Sequence, residues 1–217
     1  MSPKLSNITD DIQKYIACME DVKRRLEVIG SFLAKTKTTG YLITDAEFLC
    51  LQFRKVLELI ALSSLAAHHH EYESIHANFS SHWNAKRIIE AIEKINQAFY
   101  PVPGIQVRDI KTGKVEKVKP KLDGYLTKED FIQVFDTCCK MLHTENIYNK
   151  KHQNIDTLFS QFPEWHRKVI ELLNHHQVQL MNPDLQLWVI MQEESDGKVH
   201  VAEMLRVSEL QRENNEE

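Results

Sequence analysis

The 217-residue chain is long enough for one sizeable core, and its 42% hydrophobic and 27% charged residues exclude a disordered or fibrous protein. The formal net charge of −4 excludes a global attraction for polyanions, so nucleic acid would have to meet a local basic patch. No apolar run reaches the roughly 20 residues of a bilayer span, and the first residues lack the basic-then-apolar order of a secretion signal; we therefore expect a cytoplasmic protein without a membrane partner.

Helical periodicity covers the first half of the chain. Apolar residues recur at three- and four-residue spacing over residues 8–34, which predicts an amphipathic helix. A second helix is predicted over about 45–68, with Thr44 or Asp45 as its cap, and its Leu, Ile and Ala content is typical of a central element. A third is predicted over 82–99, where the prolines of YPVPG end it.

The periodicity then changes to that of strands. IQVRDI and VEKVKP flank KTGK, which predicts a basic β-hairpin at about 104–120. Thr127 and Asp130 form the pattern of a capping box, which predicts a helix over about 128–145. A further helix is predicted over about 154–176.

The C-terminal part has the pattern of short strands. VQLM, LQLWVIMQ and VHVAEML are joined by short turns, which predicts an antiparallel meander. The predicted class is therefore α+β, mainly α: a helical bundle over residues 1–176 with a basic β-hairpin insertion, and a small C-terminal antiparallel sheet over 177–210 packed on the bundle. Residues 211–217 are predicted to fray.

Cysteines and histidines are candidates for metal chemistry. Cysteines lie at Cys18, Cys50, Cys138 and Cys139, without a CxxC spacing, and we predict buried free thiols. Histidines lie at His68, His69, His70, His76 and His82. Adjacent histidines bind zinc or nickel, but no HExxH occurs, so we predict solvated histidines at a helix end, no metal and no cofactor. Glycine loops for phosphate and nucleophile elbows are also absent from the sequence, which disfavours common kinases and hydrolases.

Two charges interrupt the apolar run LCLQFRKVLELIALSSLAAHHH of the second helix. On a helical wheel, the side that we predict to face solvent carries Gln52, Lys55, Leu59 and Ser63. Arg54 and Glu58 fall well away from that side, with Cys50 and Ala61 on one flank and Leu51, Leu62 and Leu65 on the other. They lie on or beside the buried side, one turn apart, where their side chains can form an ion pair. The pair serves either to fix helix packing or to carry out a function.

A second polar feature lies in CCKMLHTENIYN, at the end of the helix predicted over 128–145. His143 falls at the edge of the apolar face, and Asn146 lies within that face if the helix persists. Residues of these types at such a border are either satisfied structural groups or members of a site.

The helical bundle, the run LQFRKVLELIALSSLAAH and LHTENIY on a later helix resemble the HEPN class, helical domains named for nucleotide binding in higher eukaryotes and prokaryotes. The likeness spans roughly residues 8–150. It implies a homodimeric, metal-independent ribonuclease of a toxin–antitoxin, CRISPR-linked or phage-defence system. RNA or a nucleotide would be the ligand, and an antitoxin or another protein would be the partner.

The chain departs from the signature of that class, which is an Arg, four to six residues, and then a His near a helix end. Positions 136–138 ahead of His143 hold Asp, Thr and Cys. The resemblance then implies either a non-cleaving relative or a site in which Arg54 supplies the cation from another helix. In such a site Glu58 orients Arg54, and Asn146 holds substrate or His143. A histidine exchanges protons near neutral pH and an arginine stabilises a phosphorane, so no metal is required.

Basic residues concentrate in the predicted hairpin, where Lys111, Lys114 and Lys117 are candidates for binding phosphates. The alternative is a solvated edge that resists aggregation. For the chain as a whole, the alternative to an RNA-directed effector is a non-catalytic helical module that binds a protein partner. In that module the pair of Arg54 and Glu58 would be structural.

Overall fold

The computed structural model describes residues 5–75, 84–112, 115–143 and 154–206. Its helices are α1 (Leu5–Leu33), α2 (Leu42–Ala67), α3 (His69–Ile75), α4 (Ala85–Ile95), α5 (Lys128–Met141) and α6 (Ile155–Leu173). Its strands are β1 (Val102–Arg108), β2 (Val115–Pro120), β3 (His175–Gln179), β4 (Leu185–Ile190) and β5 (His200–Leu205). The predicted α+β, mainly α class is confirmed.

Helix α2 is the central element of the bundle, as its composition predicted. It packs against α1, α4, α5 and α6, and its buried residues run from Ala46 to Leu65. Enclosure from several sides explains why apolar residues are so dense in this helix. Within the described ranges, no helix combines the length and the hydrophobicity that crossing a bilayer requires.

The start of α2 differs from the prediction. The helix begins at Leu42, with Tyr41 as an N-cap that makes no side-chain capping bond. The Asp45 carboxylate instead accepts hydrogen bonds from the Thr39 backbone N–H at 2.6 Å and from the Thr38 hydroxyl at 2.7 Å. These bonds hold the carboxylate in its ionised form and lower the pKa of Asp45. The residue therefore fixes the preceding loop to the first turn rather than capping the helix.

Other helix ends follow local capping. The predicted capping box is confirmed: Thr127 Oγ1 accepts from the Asp130 backbone N–H at 3.1 Å, and the Asp130 carboxylate accepts from the Thr127 backbone N–H at 3.3 Å. Helix α5 ends at Met141, earlier than the predicted residue 145. The helix predicted over 82–99 is α4. It ends at Ile95, with Asn96 as its C-cap, before the prolines of YPVPG are reached. Its predicted first two residues lie outside the described ranges.

The strands form one antiparallel sheet with the order β2-β1-β3-β4-β5. The predicted hairpin and the predicted C-terminal meander are therefore not separate features. They join where Val102 and Pro103 of β1 pair with Gln177 and His176 of β3. The predicted tail at 211–217 lies outside the described residues.

Gly104 allows the hairpin to approach the meander closely. A Cβ atom at this position would lie 2.6 Å from Val118 Cγ1 and 2.8 Å from His175 Nδ1. Any larger residue would push the side chains of β2 and β3 apart, so the junction depends on a glycine here.

A buried chain of hydrogen bonds joins the sheet to α1. His176 Nδ1 donates to the Leu173 carbonyl at 2.8 Å, which leaves Nε2 to accept from the Tyr15 hydroxyl at 2.7 Å. The Tyr15 hydroxyl also lies against the Ser63 side chain of α2. Burial lowers the pKa of His176 to about 4 and raises the pKa of Tyr15. The network holds His176 neutral inside the fold.

We expect the free energy of unfolding to fall as the pH drops from 6.5, the ordinary pKa of histidine, to about 4. In this window the unfolded chain protonates His176 and the folded chain does not, so the full contribution is present above 6.5. The loss should approach about 3 kcal/mol, from about 1.4 kcal/mol per pH unit. Urea denaturation at stepped pH measures it, and His176→Gln should flatten the profile in that window. Parallel profiles for both proteins would contradict this assignment.

Candidate functional site

The predicted ion pair is present on α2. Arg54 Nε donates to Glu58 Oε1 at 2.9 Å, and Lys55 Nζ donates to Glu58 Oε2 at 2.8 Å. The side chain of Glu58 is 11% exposed and that of Arg54 is 28% exposed. One carboxylate thus holds two cations at the boundary between the interior and solvent. Arg54 is fixed in direction but keeps part of its surface accessible.

The prediction of which face of α2 is exposed was partly wrong. Ser63 is fully buried and its hydroxyl donates to the Ile60 carbonyl, whereas Leu51 and Leu62 are 39% and 36% exposed. The helical wheel assumed a single buried side, but helices cover α2 from several directions. What remains exposed is a narrow strip that includes Leu51, Lys55 and Leu62.

Helix α5 brings two cysteines close to the ion pair. The contact with the Cys50 thiol and burial raise the pKa of the Cys138 thiol, and Arg54 acts in the opposite direction. Burial likewise raises the pKa of Cys139, with Arg54 opposing the rise and Glu58 adding to it. These interactions require proximity, so the charged pair lies at the contact between α2 and α5. As predicted, all four cysteines are free thiols; Cys50 and Cys138 are buried, whereas the other two are half-buried.

His143 lies just beyond the end of α5. Its backbone N–H donates to the Lys140 carbonyl at 3.3 Å, and its side chain is exposed. It follows Cys139 by four residues. Within the described residues no hydrogen bond or ion pair joins His143 to Arg54. The predicted supporting residue Asn146 lies outside the described part of the chain.

The structure outlines cavities elsewhere in the molecule. Arg54, Glu58 and His143 are not among the residues that line the cavities bounded by Gly30 and His166, by Asp11 and Leu187, by Tyr100 and Gln177, or by Gln133 and Trp165. Arg54 is partly exposed and His143 is exposed.

The hairpin lysines lie at the edge of the sheet. Lys111 is exposed in the turn and Lys117 is exposed on β2, which is an edge strand. Lys117 and Lys119 share one face of that strand, because alternate residues project to the same side. Neither has an ion-pair partner among the described residues, so both charges are available to a polyanion. Lys114 lies outside the described ranges.

The prediction of solvated histidines was wrong for His68, which is fully buried. Its Nδ1 donates to the Ser64 carbonyl at 2.8 Å, and its Nε2 accepts from Asn96 Nδ2, also at 2.8 Å. Asn96 Nδ2 also contacts the Gln179 carbonyl at 2.8 Å. His68 therefore joins the end of α2 to α4 and β3, and its position in a run of histidines hides that role.

The next two histidines lie beside a cavity. His69 Nδ1 donates to Asp11 Oδ2 at 3.0 Å, and His70 Nε2 is buried without a hydrogen-bond partner. Sequence reasoning missed this site, because no local spacing connects Asp11 to the histidines. No group of three metal-binding side chains converges within the described residues. His76 and His82 lie outside them.

The chain matches no family model, no curated protein and no solved structure. The HEPN resemblance therefore stays a prediction that depends on the two quoted runs and on the helical bundle.

A double-mutant cycle should separate the two cations that bind Glu58. We expect Arg54→Gln combined with Glu58→Gln to give a coupling energy of about 0.5–1 kcal/mol, because that pair is partly buried. The matched cycle of Lys55→Gln with Glu58→Gln should give less, about 0.3 kcal/mol, since Lys55 is more exposed. Urea denaturation measures both. Equal coupling energies would show that Glu58 does not preferentially hold Arg54.

Proposed function

We propose that the chain is an RNA-directed effector in which Arg54 and His143 act on one phosphodiester and Glu58 orients Arg54. The observation that most supports this function is the position of Cys139. It lies close enough to Arg54 and Glu58 for their charges to affect the pKa of its thiol, and it precedes His143 by four residues. Arg54 and His143 are both accessible to solvent near this contact.

The proposed reaction is RNA cleavage without a metal ion. The 2′-oxygen attacks the adjacent phosphorus while its proton passes to the His143 imidazole. The bond from phosphorus to the 5′-oxygen then breaks, and that oxygen takes up the proton, leaving a 2′,3′-cyclic phosphate and a 5′-hydroxyl. Arg54 Nε is occupied by Glu58, so its terminal nitrogens are the ones that would stabilise the phosphorane oxygens.

Two surfaces would assist this reaction. Lys111 and Lys117 would bind the RNA backbone, because they are basic and exposed. They would provide a local positive patch in a chain whose net charge is −4. Leu51 and Leu62, exposed on the same helix as the ion pair, would be covered by a second copy in a homodimer. By the HEPN resemblance, such a dimer would act in the cytoplasm in toxin–antitoxin control or phage defence, with an antitoxin as its protein partner.

We expect purified wild-type protein to cleave total RNA in the presence of EDTA, and His143→Ala to reduce the rate by at least about 100-fold, the usual contribution of general acid–base catalysis. The melting temperature of His143→Ala should stay unchanged because the side chain is exposed. His200→Ala is the matched control, since His200 is an exposed histidine on the far edge strand. Undiminished cleavage by His143→Ala, or none by wild type, would exclude the proposed catalytic role.

A second function, a non-catalytic module that binds a protein partner, is favoured by exposed apolar residues at the start of α2. Tyr41 is 58% exposed, Leu42 is 52% exposed and Ile43 is 37% exposed. Exposed apolar residues that cluster along one element often mark a protein-binding surface. In this function the ion pair would only fix the packing of α2.

The strip gives a test of the proposed dimer. We expect the double variant Leu51→Glu, Leu62→Glu to dissociate the dimer at least about tenfold more readily, because it places charges in an apolar contact. Sedimentation velocity over a concentration series measures this, and circular dichroism checks the fold. Ile105→Glu is a control, since Ile105 is 51% exposed on the hairpin. A wild-type monomer at all concentrations would rule out the dimer but leave partner binding possible.

A further inference from the structure

A cavity of about 580 Å³ lies between one face of the sheet, the connection from α4 to β1, and the start of α5. Its floor carries Val102, Gln177, Gln179 and Gln186. Val102 pairs with Gln177 and Gln179 pairs with Gln186, so these four side chains project from the same face of the sheet. Val178, between two of the glutamines, projects from the other face into the core. The volume is within the range of small-molecule sites.

One amide of the floor has no protein partner. Gln179 Nε2 donates to the Leu185 carbonyl at 2.9 Å, and its Oε1 accepts from Gln186 Nε2 at 2.9 Å. Gln177 is half-buried on the same face and has no hydrogen-bond partner within the described residues, yet both polar atoms of its side chain are accessible. An amide offers donors and an acceptor in one plane. Gln177 is therefore a group to which a ligand in the cavity can hydrogen-bond.

Two tyrosines form part of the wall. The Tyr100 hydroxyl is bonded to the carbonyls of Leu126 at 3.1 Å and Thr127 at 3.3 Å, which fixes the orientation of its ring. Tyr125 also lines the cavity, and its hydroxyl has no hydrogen-bond partner in the described part of the chain. A tyrosine presents an apolar ring and a polar hydroxyl to a ligand. The wall thus offers a fixed aromatic ring beside a free hydroxyl.

The charges around the cavity disfavour an anion. Of the described residues that line it, Lys128 alone is basic, and its ammonium group is held by Glu93. Glu129 also lines the cavity and has no ion-pair partner among the described residues. An anionic ligand would therefore lie near a carboxylate without a free cation to bind it. A free amide, a hydroxyl and a carboxylate suit a neutral molecule whose adjacent hydroxyl groups both donate and accept.

We propose that this cavity binds a neutral hexopyranose, either as a free sugar or as the end unit of a glycan. The Gln177 amide bonds to two adjacent hydroxyls, Glu129 accepts from another, and the C–H face of the sugar ring packs on Tyr100. The site is separate from the proposed catalytic pair. Glu129 lies about 15 Å along α5 from Cys139, at 1.5 Å per residue. The two proposals can therefore fail independently.

NMR titration of the full ¹⁵N-labelled chain tests the ligand class, with the backbone amides of 97–102 and 177–179 as reporters. The probes are the methyl pyranosides of glucose, galactose and mannose, the corresponding uronates, and adenosine. We expect saturable shifts with at least one glycoside, and at least about tenfold weaker binding of its uronate, whose carboxylate would lie near Glu129. No saturable shift with any glycoside, or adenosine binding as tightly as the best one, overturns the proposal.

Disaccharides that end in the bound sugar distinguish its two sources. Tighter binding of a disaccharide than of the methyl glycoside supports the end of a glycan, because the second unit then adds contacts. Equal binding supports a free sugar.

Variants test the site. Gln177→Leu removes the free amide, so glycoside affinity should fall at least about tenfold while the melting temperature stays equal or rises, since no protein hydrogen bond is lost. Gln106→Leu is the matched control for affinity, because Gln106 lies on β1 outside the cavity lining, and it should bind the glycoside normally. Gln179→Leu should lower the melting temperature, because its amide is bonded to protein.

Val102→Trp places a large side chain beside Gln177 and should abolish glycoside binding even if the glutamine variant folds poorly. Unchanged affinity in both Gln177→Leu and Val102→Trp contradicts the assignment. A loss of melting temperature in Gln177→Leu as large as that in Gln179→Leu also contradicts it, because the Gln177 amide would then be structural.

Discussion

The fold depends on burying α2 without leaving its polar groups unbonded. The Ser63 hydroxyl donates to the Ile60 carbonyl of its own helix, and the His68 ring accepts from Asn96 at the end of α4. Tyr15 of α1 lies against Ser63 and donates to His176 of the sheet. These contacts join α2 to α4, to α1 and, through Tyr15, to the sheet. An unsatisfied group in this interior would be costly, so the polar positions select one arrangement of α1, α4 and the sheet around the helix.

The charged pair at the α2–α5 contact obeys a different constraint. Arg54 and Glu58 are not fully enclosed, and partly exposed pairs contribute little to stability. The ion pair therefore contributes less to the stability of the fold than the hydrogen bonds of the buried histidines do. The same partial exposure is what a group that contacts substrate requires, because a guanidinium that is fully enclosed cannot reach a phosphate.

Two regions along α2 differ in chemistry. Arg54 lies at the boundary between the interior and solvent, beside the exposed Lys55 and the exposed Leu51 and Leu62. Toward the other end of the helix, Ala66 and Ala67 line a partly open cavity with mostly apolar walls. Helix α2 connects the two regions, since its charges belong to one and its C-terminal alanines to the other.

Local patterns in the sequence determined the class of fold and the approximate helices and strands. They also determined the capping box at Thr127 and the contact of Arg54 with Glu58. Each of these features depends on residues within one turn or one hairpin. Only the tertiary structure decided that Leu62 rather than Ser63 is exposed, that the hairpin belongs to the C-terminal sheet, and that Asp11 meets His69. These features depend on elements distant in sequence that pack together, and helical periodicity carries no information about which neighbours will cover each face.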